Sequence, residues 1–300
     1  MIIDNYIERL RDNRGYSENT IKNYHRTMEL FNSYIKQKSW NKRNINDPKK
    51  IKIGIIENFI KSQRDNNKDV RTCNNYLACI KLFLRYCLVK WIKTENFNRV
   101  VFAREPRKKI DALEPGDTEK MFNYLRSLDP KTKYGDIIKF RNLVILQLLL
   151  YTGVRVSELI NIKVADVAEE MQIVGKGNKP RLINLYDDDL RLIKLYMFMR
   201  RNIEGEYLLI SLSGNSKGKR LSAVSVEKTI RDIWKAAGIK GKVFPHKLRH
   251  TFATNLLRAN ANIYHIQQLL GHNNIATTQT YLTVLNSELR DTQKLLHQKF

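Results

Sequence analysis

The fifteen residues from Ile137 to Tyr151, IIKFRNLVILQLLLY, constrain the fold more than any other stretch of the chain. Read as a helix they are apolar nearly all round, and a helix without a polar face has to be covered on every side. The run is shorter than the roughly 20 residues of a membrane span, so protein and not lipid must cover it. Gly153 follows two residues on and supplies the left-handed residue on which helices commonly end. The second half of the chain is therefore expected to be a domain wrapped around this central helix. No other apolar run approaches a membrane span, and Met1-Ile2-Ile3-Asp4 does not begin a signal peptide.

The cover is legible on both sides of that helix. Asp117 to Leu128 is amphipathic. Met171-Gln172-Ile173-Val174 and Arg181-Leu182-Ile183-Asn184-Leu185 alternate as strands around the turn GKGNKP, which puts Lys176 at a hairpin tip. Further helices are expected near Leu190–Arg201, Ser225–Ala237, Leu248–Arg258, Ile263–Leu270 and Thr277–Tyr281. Upstream the pattern is helical throughout. Asn5 to Asp12 carries Tyr6, Ile7 and Leu10, and Ser17 looks like the N-cap of a helix with Ile21, Tyr24, Met28, Phe31 and Ile35 on one face. Ile53–Gln63 and Asp69–Lys90 follow, the latter with Tyr76, Ile80, Phe83 and Cys87 in a stripe. Arg104-Glu105-Pro106-Arg107-Lys108-Lys109 breaks this periodicity. The expectation is a mainly α protein with a small β-sheet: a helical domain over 1–103, a basic linker over 104–112 and a mixed domain over 113–300.

Charge names a class of partner. Lys and Arg number 54 against 30 Asp and Glu, a net charge of +24, which calls for a polyanion. The excess is not an appended tail, since residues 1–105 carry 22 basic and 11 acidic side chains and residues 106–300 carry 32 and 19. Charge spread over both halves suits a clamp around duplex DNA, although RNA-binding proteins can be as basic. Cys73, Cys79 and Cys87 share one helical segment at spacings that fit neither a zinc site nor a disulfide framework, and read as reduced core thiols of a cytoplasmic protein.

Six residues then stand in an order suited to one reaction: Arg155 in TGVRVSELINI, Lys176 in GKGNKPRLINL, His246 and Arg249 in HKLRHTFAT, and His272 and Tyr281 in LLGHNNIATTQTYL. Displacement at a phosphodiester spreads charge over two non-bridging oxygens, and planar guanidinium forks match that geometry. Arg155 and Arg249 are the candidate clamps. A phenol, with a reference pKa of about 10, needs positive charge and a proton acceptor before it attacks, which His246 and His272 can provide. Lys176 can protonate the leaving sugar oxygen. Taken singly, each has a structural reading: Arg155 as a helix-end residue paired with Glu158 at i+3, Lys176 as a solvated turn residue, Tyr281 as a core aromatic.

Together these segments resemble the tyrosine site-specific recombinases, and most closely their Xer branch. Thr152 to Leu159 is similar to the first arginine box, Gly175 to Lys179 to the hairpin lysine, His246 to His250 to the His-x-x-Arg box, and Leu270-Gly271-His272 with Tyr281 to the last histidine and the nucleophile. The resemblance implies a helical core-binding domain that closes on DNA and an α+β catalytic domain. It also implies a 3′-phosphotyrosyl intermediate formed by Tyr281, strand exchange through a Holliday junction, and Glu158 orienting the basic residues. By the same resemblance the partners are double-stranded DNA and further subunits in a cyclic tetramer on two sites, and the resemblance also admits a second recombinase or an accessory DNA translocase.

Other signals are weaker. Asp187-Asp188-Asp189 reads as a helix cap in preference to a metal cluster, and the Gly-rich segment from Ser213 to Arg220 lacks the spacing of a P-loop. No cofactor and no metal are expected. Chromosome dimer resolution is the favoured role, because no arm-binding region precedes Met1. An integrase of a phage, plasmid or transposon uses the same residues, and a non-catalytic DNA-binding protein of the same fold or a metal-dependent nuclease are the readings outside the class. Leu285, Leu289, Leu296 and Phe300 form a terminal apolar stripe, read as a helix of about 285–300 donated to a neighbouring subunit.

Overall fold

The computed structural model describes residues 2–12, 15–38, 45–90, 92, 94, 96–105, 112–114, 116–175, 180–241 and 244–271. The chain divides into two compact units, Met1–Arg107 and Lys108–Phe300. It is mainly helical with one two-stranded sheet, the expected class. No helix of the described residues is long and apolar enough to cross a membrane.

The first unit is built from α1 (Ile2–Asp12), α2 (Glu18–Lys38), α3 (Ile53–Asp65) and α4 (Val70–Val89). The expected stripes face inward, with Tyr6, Leu10, Met28, Phe31, Ile35, Ile80, Phe83 and Cys87 all buried in one cluster, which Phe59 of α3 joins. Rings interlock within it, Tyr6 meeting Phe83 edge-on at 5.3 Å and Phe31 meeting Phe59 at 5.0 Å. Asp69 caps α4 by accepting from the Thr72 N–H at 2.6 Å. The three cysteines are free and buried, and burial pushes the thiols of Cys79 and Cys87 up to about 11 and about 12. Asn74 holds the chain just before the expected linker against α4, its amide exchanging two hydrogen bonds with Ala103 at 2.9 and 3.0 Å.

In the second unit α5 (Asp117–Ser127) and α6 (Gly135–Tyr151) are followed by the one-turn α7 (Val156–Leu159), the hairpin β1 (Glu170–Val174) and β2 (Pro180–Asn184), α8 (Asp187–Met199), α9 (Ala223–Ala236), α10 (Pro245–Arg258) and α11 (Ile263–Leu270). The central helix is α6, which packs against α5, α7, α8, α9 and α10. Seven of its residues from Leu143 to Leu150 are buried apolar side chains. Thr152 closes it by donating its hydroxyl to the Leu148 carbonyl at 2.6 Å, and Gly153 turns away at φ +61. A Cβ on Gly153 would stand 2.4 Å from the Phe252 ring, so close packing as well as φ requires glycine there.

The strands are antiparallel, with Ile173 opposite Arg181 and Met171 opposite Ile183. Met171, Ile173 and Ile183 face the core, whereas Val174 and Leu182 are exposed. Asp189 supports the capping reading of the acidic run: it accepts from the Tyr186 N–H at 3.0 Å and from the Gln147 amide at 2.7 Å. Leu113, just past the linker, is anchored to α10 through its N–H and the Thr251 hydroxyl at 2.9 Å.

Candidate active site

The left-handed turn at Gly153 delivers Arg155 to the N-cap position of α7. Glu158, three residues on, turns its carboxylate back onto Arg155, accepting from its main-chain N–H and from Nη1, both at 2.8 Å. This is the i, i+3 pair visible in the sequence. It is also half of a larger assembly, because Arg181 on β2 forks the same carboxylate, Nη1 to Oε1 and Nη2 to Oε2, each at 2.8 Å. Glu158 is 5% exposed. Burial alone would raise its carboxyl, but the Arg181 fork, the Arg155 N–H and the Arg155 guanidinium outweigh that and hold it at about 2.

The same two arginines, joined by Arg249 of α10, finish α11. The last carbonyls of a helix have no partner within it, and its C-terminal end favours positive charge. Here the carbonyl of Leu269 accepts from Arg181 Nε at 2.9 Å, that of Leu270 from Arg249 Nη2, and that of Gly271 from Arg155 Nη2 at 3.4 Å. Gly271 takes φ +61, and a Cβ there would come within 3.1 Å of the Arg181 side chain. Arg249 Nη1 reaches back to the Gly153 carbonyl, tying the two glycine turns together. Both end nitrogens of Arg249 thus face main-chain carbonyls in this structure, and its side chain is buried. Arg155 differs, since 31% of its side chain remains open to solvent.

His246 lies in the first turn of α10, just after Pro245, and is exposed. Although the residue is exposed at the surface, packing around its ring and the nearby charges of Arg249 and Arg155 lower its pKa and so favour the neutral imidazole. His250, one turn on, stacks edge to face against it at 4.4 Å. Arg155, Glu158, His246 and Arg249 therefore meet in one place, with the turn at Gly271 beside them. Lys176, His272 and Tyr281 lie outside the described residues, as do the expected helices over Thr277–Tyr281 and 285–300. In sequence Lys176 belongs to the connection between the paired strands, and His272 directly follows Gly271.

Arg181 is the member that sequence reasoning treated as an ordinary strand residue. A clue was present: in Arg181-Leu182-Ile183-Asn184-Leu185 it shares the inward parity with Ile183 and Leu185, where a strand of this kind carries apolar side chains. Chemically, a guanidinium partly open to solvent and braced by a buried carboxylate presents donors to an oxyanion, and the imidazole beside it offers a proton acceptor to an attacking hydroxyl.

Comparison with known proteins agrees over the whole length. The phage integrase family matches residues 111–288, and the phage integrase N-terminal SAM-like domain matches residues 3–90. The tyrosine recombinase XerD of Listeria innocua serovar 6a is 30% identical over 306 residues, spanning 99% of this chain and 98% of that protein. The crystal structure of XerA recombinase is 28% identical, with 98% of this chain and 97% of that one covered and a TM-score of 0.52. XerH bound to a palindromic difH substrate in a post-cleavage complex shares the fold, at 21% identity and a TM-score of 0.75 over 95% of this chain and 82% of that one.

Proposed function

The chain belongs to the phage integrase family and is a site-specific tyrosine recombinase that cleaves and rejoins DNA; from that premise we propose that Arg155, Lys176, His246, Arg249, His272 and Tyr281 carry the reaction and that Glu158 orients them. Tyr281 Oη attacks the scissile phosphorus, forming a 3′-phosphotyrosyl bond as the bond to the 5′ oxygen breaks. Its proton passes to a neutral histidine, for which His246 is suited. Lys176 gives a proton to the departing 5′ oxygen, and Arg155 and Arg249 take the charge that builds on the non-bridging oxygens. Rejoining reverses each transfer with a different 5′-hydroxyl, so no bond energy is lost and no nucleotide is consumed. Cleavage is expected to persist in excess EDTA, because these side chains stand where metal ions otherwise serve.

The observation that carries this reading is the arginine-held turn at residues 269–271, in which the residue before His272 accepts from Arg155 and its neighbour Leu270 from Arg249, the two arginines whose charges act on His246. We place residues 1–103 as the DNA-clamping domain, 104–112 as linker and 113–300 as the catalytic domain, with a helix near 285–300 passed to the next subunit of a cyclic tetramer on two duplex sites. The full-length likeness to XerD favours a cytoplasmic protein that resolves chromosome dimers, alone or with a second recombinase and under a DNA translocase. The decisive experiment uses a nicked suicide substrate. Tyr281→Phe should bind the site as the wild type does and form no covalent adduct; an adduct with the phenylalanine variant would remove Tyr281 as nucleophile.

A further inference from the structure

We propose that Arg181 is a positioning residue of the cleavage site, fixing where the Arg155 guanidinium stands by holding Glu158 and the Leu269 carbonyl at once. The inference rests on the reading of Arg155 as a phosphate clamp.

Each oxygen of Glu158 is shared. Oε1 accepts from Arg155 Nη1 and Arg181 Nη1, and Oε2 accepts from the Arg155 main-chain N–H and Arg181 Nη2. A carboxylate held by Arg155 alone could swing about its side-chain torsions and carry the guanidinium with it. The second fork removes that freedom, because a planar guanidinium on both oxygens fixes the plane of the carboxylate. Arg181 is itself fixed by a third bond, Nε to the Leu269 carbonyl, and by the strand pairing that sets it opposite Ile173. Its reach therefore joins three elements that are far apart in sequence: α7, the hairpin and the end of α11.

Exposure, and the fork on Glu158, separate this role from that of Arg155. The Arg181 side chain is 9% exposed and its nitrogens are spent on Glu158 and Leu269, whereas 31% of the Arg155 side chain is open. Arg155 can meet a phosphate from its open edge; Arg181 stands behind it. Lysine cannot do the same work, since one ammonium cannot lie along both carboxylate oxygens and also reach the Leu269 carbonyl.

A double-mutant cycle in the full-length protein tests the proposal, read as the cleavage rate of a nicked suicide site at saturating protein, with site affinity measured alongside. Arg181→Ala should slow cleavage on the order of tenfold to a hundredfold at nearly unchanged affinity, yet slow an Arg155→Ala protein by less than about twofold, because residues acting through one another are not additive. Arg181→Lys, which keeps the charge beside Glu158, serves for the same cycle if the alanine variant fails to fold, and should fall between wild type and alanine. Equal slowing in both backgrounds, or wild-type cleavage by the Arg181 variants, overturns the proposal. Wild-type cleavage by Arg155→Ala alone overturns the clamp reading, and the proposal with it.

Discussion

In the N-terminal unit the side chains taken from water are apolar: Met28, Phe31, Phe59 and Phe83 fill the core, and Thr27 and Gln63 are the polar groups buried there among the described residues. In the C-terminal unit charges go inside as well. Glu158, Asp189, Arg200, Lys247 and Arg249 are all buried. Removing an ion from water costs several kcal/mol unless partners replace the solvent, and a buried pair is often no better for stability than packed hydrocarbon. The difference therefore tracks what each unit has to hold still. A helical bundle that presents a basic surface can rely on non-directional burial, whereas a site that stabilises a transition state needs donors fixed in direction as well as place.

The contrast can be broken most forcefully from the apolar side. Phe83→Ala deletes a fully buried ring that packs on Tyr6, and should cost about 3–5 kcal/mol in denaturant unfolding. The cleavage rate of the protein that remains folded and bound should stay near that of the wild type; a matching loss of rate would show that the first unit also shapes the chemistry. Arg155→Ala is the converse change. It should slow cleavage at least about a hundredfold, worth about 2.7 kcal/mol of transition-state stabilisation, with a much smaller effect on site binding. If affinity falls as far as rate, Arg155 serves uniform binding instead.

A smaller effect should appear in acid. The Glu158 carboxyl is depressed from 4.5 to about 2, so its contribution is complete above pH 4.5 and drains away as the pH falls toward about 2. Between neutral pH and pH 3 the wild type should lose about 2 kcal/mol more than Glu158→Gln, as read from urea midpoints. Parallel losses in the two proteins would mean that the carboxylate is not held as the geometry has it.

How much of this the sequence disclosed depends on how far each residue reaches. The central helix α6 was plain because a segment apolar on all sides has one destination, and the hairpin was plain because period-two alternation flanks a Gly-rich turn. Arg155 and Glu158 could be paired because they are three residues apart. Arg181 could not, since its partners lie 23 and 88 residues away and only the fold brings them near. The two carbonyls that receive Arg249 were equally hidden, for main-chain acceptors leave no mark in a sequence. Helix ends were less sharp: α1 begins at Ile2 and not at Asn5, because Ile3 also packs into the core.

The end of α11 has a bearing on when the protein becomes competent during folding. Its three closing bonds come from residues 88, 21 and 116 positions distant, on β2, α10 and α7. Such distant closures form late, once the intervening chain has collapsed. The turn that ends at Gly271 is thus expected to close only once β2, α10 and the N-cap of α7 have come together, so its hydrogen-exchange protection should report on three elements at once.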